Sequence, residues 1–262
     1  MMTVLAMASQ PDRMLTADCR DAFGAVNPEI PVEEQVRTDL VSGQWSQGED
    51  VQVYFNADGT SDWLVREANG QWSYTQHQWV VENTTSGPTL TLKSTAQVKQ
   101  QYRVEPTCEG ISLFTPDYRE SIVLGYEPLD RNNRSQTVTR SVSGEWEHTL
   151  TPAQLQELDI LDVQNVDHQR ARVRLYLSEN GTFSKELLCA SANIHIRETG
   201  TWKVSRDGQF LLFNDLDGNQ VTNSRCIRLK YLELDEMVLE QALAFAKTGK
   251  QTSTQDFYFN KQ

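Results

Sequence analysis

The sequence predicts an all-β chain built as two small antiparallel β-barrels in tandem, with one or two short helices. Three observations predict it. An ordered set of residues occurs twice, apolar residues alternate with polar ones at period two, and Asp-Gly or Asn-Gly pairs close the alternating stretches. At roughly 150 residues per domain, 262 residues suit two domains. The division read from the repeat is an N-terminal segment 1–36, a first repeat 37–140 and a second repeat 141–262, with an inserted segment near 148–169.

Taken in order, the chain opens on a mostly apolar stretch, Met1 to Ser9, ending near the small-residue run Ala6-Met7-Ala8. It lacks the basic start and long apolar middle of a secretory signal. Two readings stand: the remnant of such a signal, or a loosely packed terminus. A short helix is expected through Val32–Leu40. The first repeat then begins at Ser42-Gly43-Gln44-Trp45, which matches Ser143-Gly144-Glu145-Trp146 in the second. Val51, Val53 and Phe55 alternate with polar neighbours and lead to Asp58-Gly59; Val173, Leu175 and Leu177 do the same and lead to Asn180-Gly181. Glycine takes the positive φ of such hairpin turns without steric cost. Gly70-Gln71-Trp72 then pairs with Gly200-Thr201-Trp202. Further on, Leu90-Thr91-Leu92 pairs with Phe210 to Phe213, Cys108 with Cys226, and the tail Ile122-Val123-Leu124 with Met237-Val238-Leu239. Phe257 and Phe259 share one face of a last strand that would close the second barrel, with the two repeats joined near Arg140–Ser141.

The halves differ in length at two places. From the first Trp to the first strand is 6 positions in one half and 27 in the other, so the second carries 21 more. From the turn glycine to the second Gly-x-Trp is 13 positions against 21, a further 8. The larger insert starts Thr151-Pro152-Ala153-Gln154. Thr as N-cap, Pro at the first helical position and Gln three residues after the cap predict a helix over Pro152–Leu161. The alternative is an extended hairpin arm.

This order of motifs resembles the small bacterial lipocalin-like domains: Gly43/Trp45, Gly59, Gly70/Trp72 and Leu124, then Gly144/Trp146, Gly181, Gly200/Trp202 and Leu239. The resemblance spans about 38–140 and 142–262. It implies small antiparallel barrels, frequent in exported proteins, in which the first Trp packs across the barrel floor and a small apolar ligand sits in the mouth. The tandem arrangement departs from the pattern, and so does the 21-residue insert, which is placed to cover or reshape one mouth.

Candidate ligand contacts are His77 and Trp79, which share one strand face with Val81. Neither has a counterpart in the second repeat on this alignment. Trp45, Trp72, Trp146 and Trp202, with Gly43, Gly70, Gly144 and Gly200, read as structural signature, since a buried Trp needs an outlet for its N–H. Trp63 reads as extra core or rim. Cys19, Cys108, Cys189 and Cys226 form no Cys-x-x-Cys pair and allow three disulfide pairings; Cys19–Cys108 and Cys189–Cys226 keep each bridge local. Four buried thiols are the other reading. His148, His168 and His195 show no metal spacing, and no metal or cofactor is expected. Asp215-Leu216-Asp217-Gly218 lacks the glutamate of a calcium loop and reads as a hairpin turn. No nucleophile elbow and no glycine-rich phosphate loop occur.

The net charge of −12, from 24 basic and 36 acidic residues, disfavours binding to nucleic acid. No apolar run is long enough for a membrane-spanning helix. The leading expectation is therefore a non-catalytic lipocalin-like protein, secreted or held in the periplasm or cell envelope, that takes a small hydrophobic molecule in a barrel mouth. The alternative is an envelope or extracellular interaction module with filled barrels and an envelope protein as partner. An enzyme comes third.

Overall fold

The computed structural model describes residues 29–68, 70–94, 99–107, 109–128, 134–157, 171–189, 194–218, 220–240 and 256–262. The chain is all-β with few helices and divides into two compact units, Met1–Val65 with Thr75–Leu129 and Arg66–Tyr74 with Asp130–Gln262.

In the first unit the helix α1 (Val32–Ser42) precedes the strands β1 (Gly43–Gln47), β2 (Val51–Phe55), β3 (Thr60–Arg66), β4 (Trp72–Thr84), β5 (Gly87–Ser94), β6 (Lys99–Pro106), β7 (Gly110–Phe114) and β8 (Ser121–Pro128). The expected helix is there because Val36 and Leu40, four apart, turn one face inward and are 5% and 0% exposed. Each strand pairs with its predecessor; β8 returns to β1, and β4 pairs with both β3 and β5. The inner face of this circuit carries Trp45, Val53, Phe55, Trp79, Leu90, Leu92, Val104, Ile111, Leu113 and Leu124, packed with Val36 and Leu40 of α1.

The second unit contains α2 (Arg134–Val142), β9 (Gly144–Thr149), α3 (Pro152–Glu157), β10 (Ala171–Leu177), β11 (Thr182–Cys189), β12 (Ile194–Val204), β13 (Phe210–Asp217), β14 (Gln220–Leu232), β15 (Glu236–Leu239) and β16 (Phe257–Lys261). Strands β9 to β16 form a closed antiparallel barrel, with β16 pairing back onto β9 through Asn260↔Glu147 and Lys261↔Trp146. Closure removes the edge strands that an open sheet would expose. Phe257 and Phe259 point inward from β16, as their alternation predicts.

Both first tryptophans are fully buried, and each is tied to the helix before it. Trp45 Nε1 donates to the Leu40 carbonyl at 2.8 Å, and Trp146 Nε1 to the Val142 carbonyl at 2.7 Å. The glycine of each Gly-x-Trp is there for a reason. A Cβ at Gly43 would lie 2.2 Å from the Tyr126 ring, and Gly144 sits at φ +135°.

Four findings differ from the sequence reading. The tail Ile122–Leu124 matches Phe257–Phe259 through the strand registers, while Met237–Leu239 matches Ile111–Leu113. The described residues hold three helices, and the junction expected near Arg140–Ser141 lies inside α2, which forms because Val138 and Val142 present one apolar face to the core. The counterpart of Trp202 is Trp79, not Trp72: Trp202 N–H donates to the Gly181 carbonyl and Trp79 N–H to the Gly59 carbonyl, both at 2.8 Å. From turn glycine to Trp is then 20 positions in one half and 21 in the other, and the 8-residue insertion disappears. Cys189 and Cys226 are both buried but not bridged to each other, because Cys189 joins the inner core of the barrel while Cys226 faces outward, its Sγ donating to the Ser73 carbonyl at 3.5 Å. Cys19 and Cys108 lie outside the described residues.

Candidate functional site

The strand registers place the two halves on one another. Trp79, Leu92 and Gln100 lie in one row across β4, β5 and β6; Trp202, Phe213 and Arg225 form the same row across β12, β13 and β14. The comparison isolates one end of each inner face, the end where β5 finishes and β6 starts, and its counterpart in the barrel.

In the first circuit the described residues cover that end incompletely. Val51, Trp63, Val65, Tyr102 and Ile122 point inward there yet are only half-buried, and His77 joins them opposite Ser94. Trp63 sets its ring edge-on to His77, centroids 6.0 Å apart, and its Nε1 donates to Ser61 Oγ at 3.2 Å. Burial holds the His77 imidazole below its usual value of 6.5, and its Nδ1 is buried with no hydrogen-bond partner. Burial, with Glu120 nearby, raises the Tyr102 phenol above its usual 10. Trp79 lies deeper. It is 6% exposed and edge-on to Phe55, with its Nε1 donating to the Thr60 carbonyl at 2.8 Å and the Arg37 guanidinium over its ring. Its place is the inner wall beneath His77.

In the barrel the matching positions are filled, although Ile194 and Ile196 on β12 are only half-buried there. Val173, Leu187, Ile227 and Phe257 stand where Val51, Val65, Tyr102 and Ile122 stand, and are 1%, 0%, 5% and 2% exposed. Where the first circuit has Trp63, Thr75, Ser94 and Gln100, the barrel has Lys185, Glu198, Asp215 and Arg225. One residue comes from each of β11, β12, β13 and β14. Lys185 Nζ lies 2.5 Å from Glu198 Oε2. The Arg225 guanidinium bridges Glu198 at 3.1 Å and Asp215 at 2.6 Å. The four formal charges cancel. Burial, then the Arg225 cation, pull the Lys185 ammonium down to about 7, against the pull of Glu198 and Asp215. Glu198 is held below its usual value, where Lys185 and Arg225 outweigh its burial.

The insert completes the closure. Thr151 Oγ accepts the Gln154 N–H at 3.2 Å and Gln154 Oε1 accepts the Thr151 N–H at 2.9 Å, the reciprocal bonds of a capping box. The helix is thus the one its start signal predicts, described over Pro152–Glu157, and its expected continuation to Leu161 lies outside the described residues. Leu155 from α3 enters the barrel core at 1% exposed. His148 ties it down. Its Nε2 faces Gln154 Oε1 at 3.0 Å and its Nδ1 the Tyr258 carbonyl at 2.8 Å, with Phe257 and Phe259 packed beside the ring.

The remaining sequence candidates are placed as follows. Trp72 is half-buried in the segment counted with the second unit and meets Phe210 edge-on at 4.9 Å. Gly70 takes φ +81° in the β3–β4 turn, whereas Gly200 lies within β12, where a Cβ would be 2.0 Å from the Asn214 carbonyl oxygen. Burial pushes the Cys226 thiol up, away from thiolate chemistry. His195 is exposed on the outer face of β12, 3.9 Å from Glu186, and His168 lies outside the described residues. A shallow polar groove of about 220 Å³ runs over that outer face, lined by Glu145, Arg174, Tyr176, Ser184, Glu186 and Arg197. Among the described residues no group of three His, Cys, Asp or Glu side chains is arranged to hold a metal, and no helix is long and apolar enough to cross a membrane.

Sequence reasoning missed the quartet altogether. Its one signal is a charged residue on an inward apolar face, as Lys185 stands between Phe183 and Leu187.

No family model and no curated protein matches the sequence. Among solved structures, the chain is similar to a lipocalin-like protein from Bacteroides uniformis, with 13% identity over 47% of this chain and 99% of that one and a TM-score of 0.27.

Proposed function

We propose that this chain is a non-catalytic binding protein made of two lipocalin-like barrels in tandem, of which the first takes a small apolar molecule in its open end and the second is closed. One observation carries the proposal. At the matched inward positions the first circuit leaves aromatic and aliphatic side chains half-buried, while the second buries an ion quartet and takes Leu155 of α3 into its core. Half-exposed apolar walls with a few convergent polar groups are the usual make-up of a small-molecule site. Export to the envelope or medium belongs to the proposal and rests on the apolar start of the chain and the family resemblance. The mechanism is burial of apolar surface without a covalent step.

The test is fluorescence titration with N-phenyl-1-naphthylamine, an uncharged apolar dye. About one equivalent is expected to bind per chain, and Val51→Trp, which fills the open end, is expected to abolish binding while the thermal midpoint is retained. Absence of dye binding, or binding that ignores Val51→Trp, would sink the proposal. A second reading takes the outer face of the second barrel as a surface for an envelope protein. It is favoured by the alternating row Glu147, Arg174, Glu186 and Arg197 across β9 to β12, beside the groove. On that reading Arg174→Glu would abolish partner capture and leave dye titration unaffected.

A further inference from the structure

We propose that the outer face of strands β9 to β12 is the interface of a homodimer, in which a second copy of this chain is related to the first by a two-fold axis running along the strands between β10 and β11. The dimer needs no ligand in the first circuit, and it puts a second copy where the second reading puts an envelope protein.

Successive side chains of a strand point to opposite faces, so the outward ones line up in rows across neighbouring strands. The registers set Glu147, Arg174, Glu186 and Arg197 in one such row, one residue from each of β9, β10, β11 and β12. Their charges run minus, plus, minus, plus. When the row is turned about an axis between its second and third members and laid on the original, every carboxylate meets a guanidinium. Glu147 comes opposite the partner's Arg197, and Arg174 opposite the partner's Glu186. An axis along the row would set each charge on its own kind, and a row ordered minus, plus, plus, minus would repel itself about either axis. A two-fold interface has to be self-complementary, with one residue meeting a second and the second meeting the first. The rows on either side obey the same operation. Glu145 comes opposite the partner's Thr199, Tyr176 opposite its Ser184 and Arg172 opposite its Leu188, so no like charges meet. Over the three rows Glu145, Glu147 and Glu186 cancel Arg172, Arg174 and Arg197, while the chain as a whole carries −12. Two copies of so acidic a chain repel, and a face without net charge is where they can approach.

The face also offers free surface and an anchor. Arg174 lies 2.9 Å from Glu147 and Arg197 3.5 Å from Glu186, yet the two arginine side chains stay 43% and 61% exposed and have room to meet a second carboxylate. Tyr176 is 51% exposed beside the groove of about 220 Å³, and the two-fold operation seats the partner's Tyr176 over Ser184 in that groove. Aromatic side chains and arginine are the usual anchors of protein interfaces. The groove is smaller than the roughly 300 Å³ or more of a small-molecule site, which favours a side chain over a free ligand. The outside of a barrel is convex, so contact is confined to these four strands and the dimer is expected to be reversible, with a dissociation constant of about 10–100 μM.

Sedimentation velocity of the full chain over about 5–500 μM tests this. The unaltered chain is expected to pass from monomer to dimer across that range, and added salt to shift the transition to higher concentration. Arg174→Glu sets carboxylate against carboxylate at both symmetry-related contacts, and Glu186→Arg sets guanidinium against guanidinium. Each variant alone is expected to weaken dimerisation at least about tenfold. Mixed in equal amounts, the two are expected to recover a dimer, because each then faces the opposite charge in the other. That recovery also shows that both variants fold. A chain that stays monomeric throughout the range overturns the proposal. A dimer that ignores both substitutions overturns it too, since its contact lies on another face. So does a mixture that stays monomeric while both variants keep the thermal midpoint of the unaltered chain. Titration with N-phenyl-1-naphthylamine reports on the first circuit separately and is expected to be the same for all three chains.

Discussion

A lysine on the inner face of a strand, between Phe183 and Leu187, must find a counter-charge or give up its proton. Lys185 is 1% exposed and meets Glu198, but it also faces the Arg225 cation, and the result is an ammonium pulled down to about 7. In the unfolded chain the same group titrates near its ordinary 10.5. The unfolded state therefore holds more protons than the folded one between about pH 7 and 10.5. Stability must rise with pH across that window and fall as pH drops toward 7. Urea unfolding at pH 7 and at pH 8.5 should show the unaltered chain gaining stability relative to Lys185→Met, by at most about 1.4 kcal/mol per pH unit. A difference that is flat or reversed over this range would mean that the lysine keeps its proton in the fold. The apolar alternation around Lys185 is legible in the sequence. The quartet is not, because its members lie on four strands and meet only through the registers of β11 to β14. His77 is legible as an inward residue from its spacing to Trp79, but its orphaned Nδ1 depends on how Trp63 and Ser94 pack.

Among the elements, the helices differ most in how clearly the sequence announces them. α3 is announced by chemistry: Thr151, Pro152 and Gln154 form a cap legible from their residue types and spacing alone, and both its hydrogen bonds are made. α2 is not, because Ser135, Thr137, Thr139 and Ser141 have the composition of a loop, and only the Val138 and Val142 pair carries the helical period. The two Gly-x-Trp motifs that follow the first turn mislead for a related reason. Gly70 serves a positive-φ turn and Gly200 a close approach of β12 to β13, so similar letters answer different constraints. The cap also makes α3 testable as a lid. Thr151→Ala removes the side-chain oxygen that accepts the Gln154 N–H and should cost about 1 kcal/mol of local stability. Hydrogen exchange should then accelerate at Leu155, whose N–H donates to the Thr151 carbonyl, and leave β2 of the first unit unchanged. Unchanged exchange at Leu155 would show that the helix is held by Leu155 burial and His148 alone.

At the scale of the whole molecule, one plan has been carried to two ends. Both circuits start from a helix that accepts an indole N–H, run eight strands, and bond a second Trp to a turn glycine carbonyl. They part at the quartet and at the insert. If those two differences are what fill the interior of the second unit, reversing them should open it. The variant that tests this carries Lys185→Trp, Glu198→Thr, Asp215→Ser and Arg225→Gln, and joins β9 to β10 by the Gly48-Glu49-Asp50 turn of the first repeat in place of residues 150–170. Removing all four charges together avoids the cost of a lone buried charge, so the substitutions are expected to be near neutral, whereas loss of the Leu150 and Leu155 side chains weakens the barrel. Titrated with N-phenyl-1-naphthylamine below its melting transition, this variant should bind about two equivalents where the unaltered chain binds about one. Variants with only the quartet replaced, or only the insert shortened, should stay near one, because either plug suffices. A folded double variant that still binds one equivalent would show that the second interior is closed by its hydrocarbon packing, with Phe183, Phe213 and Phe257 filling what the charges vacate.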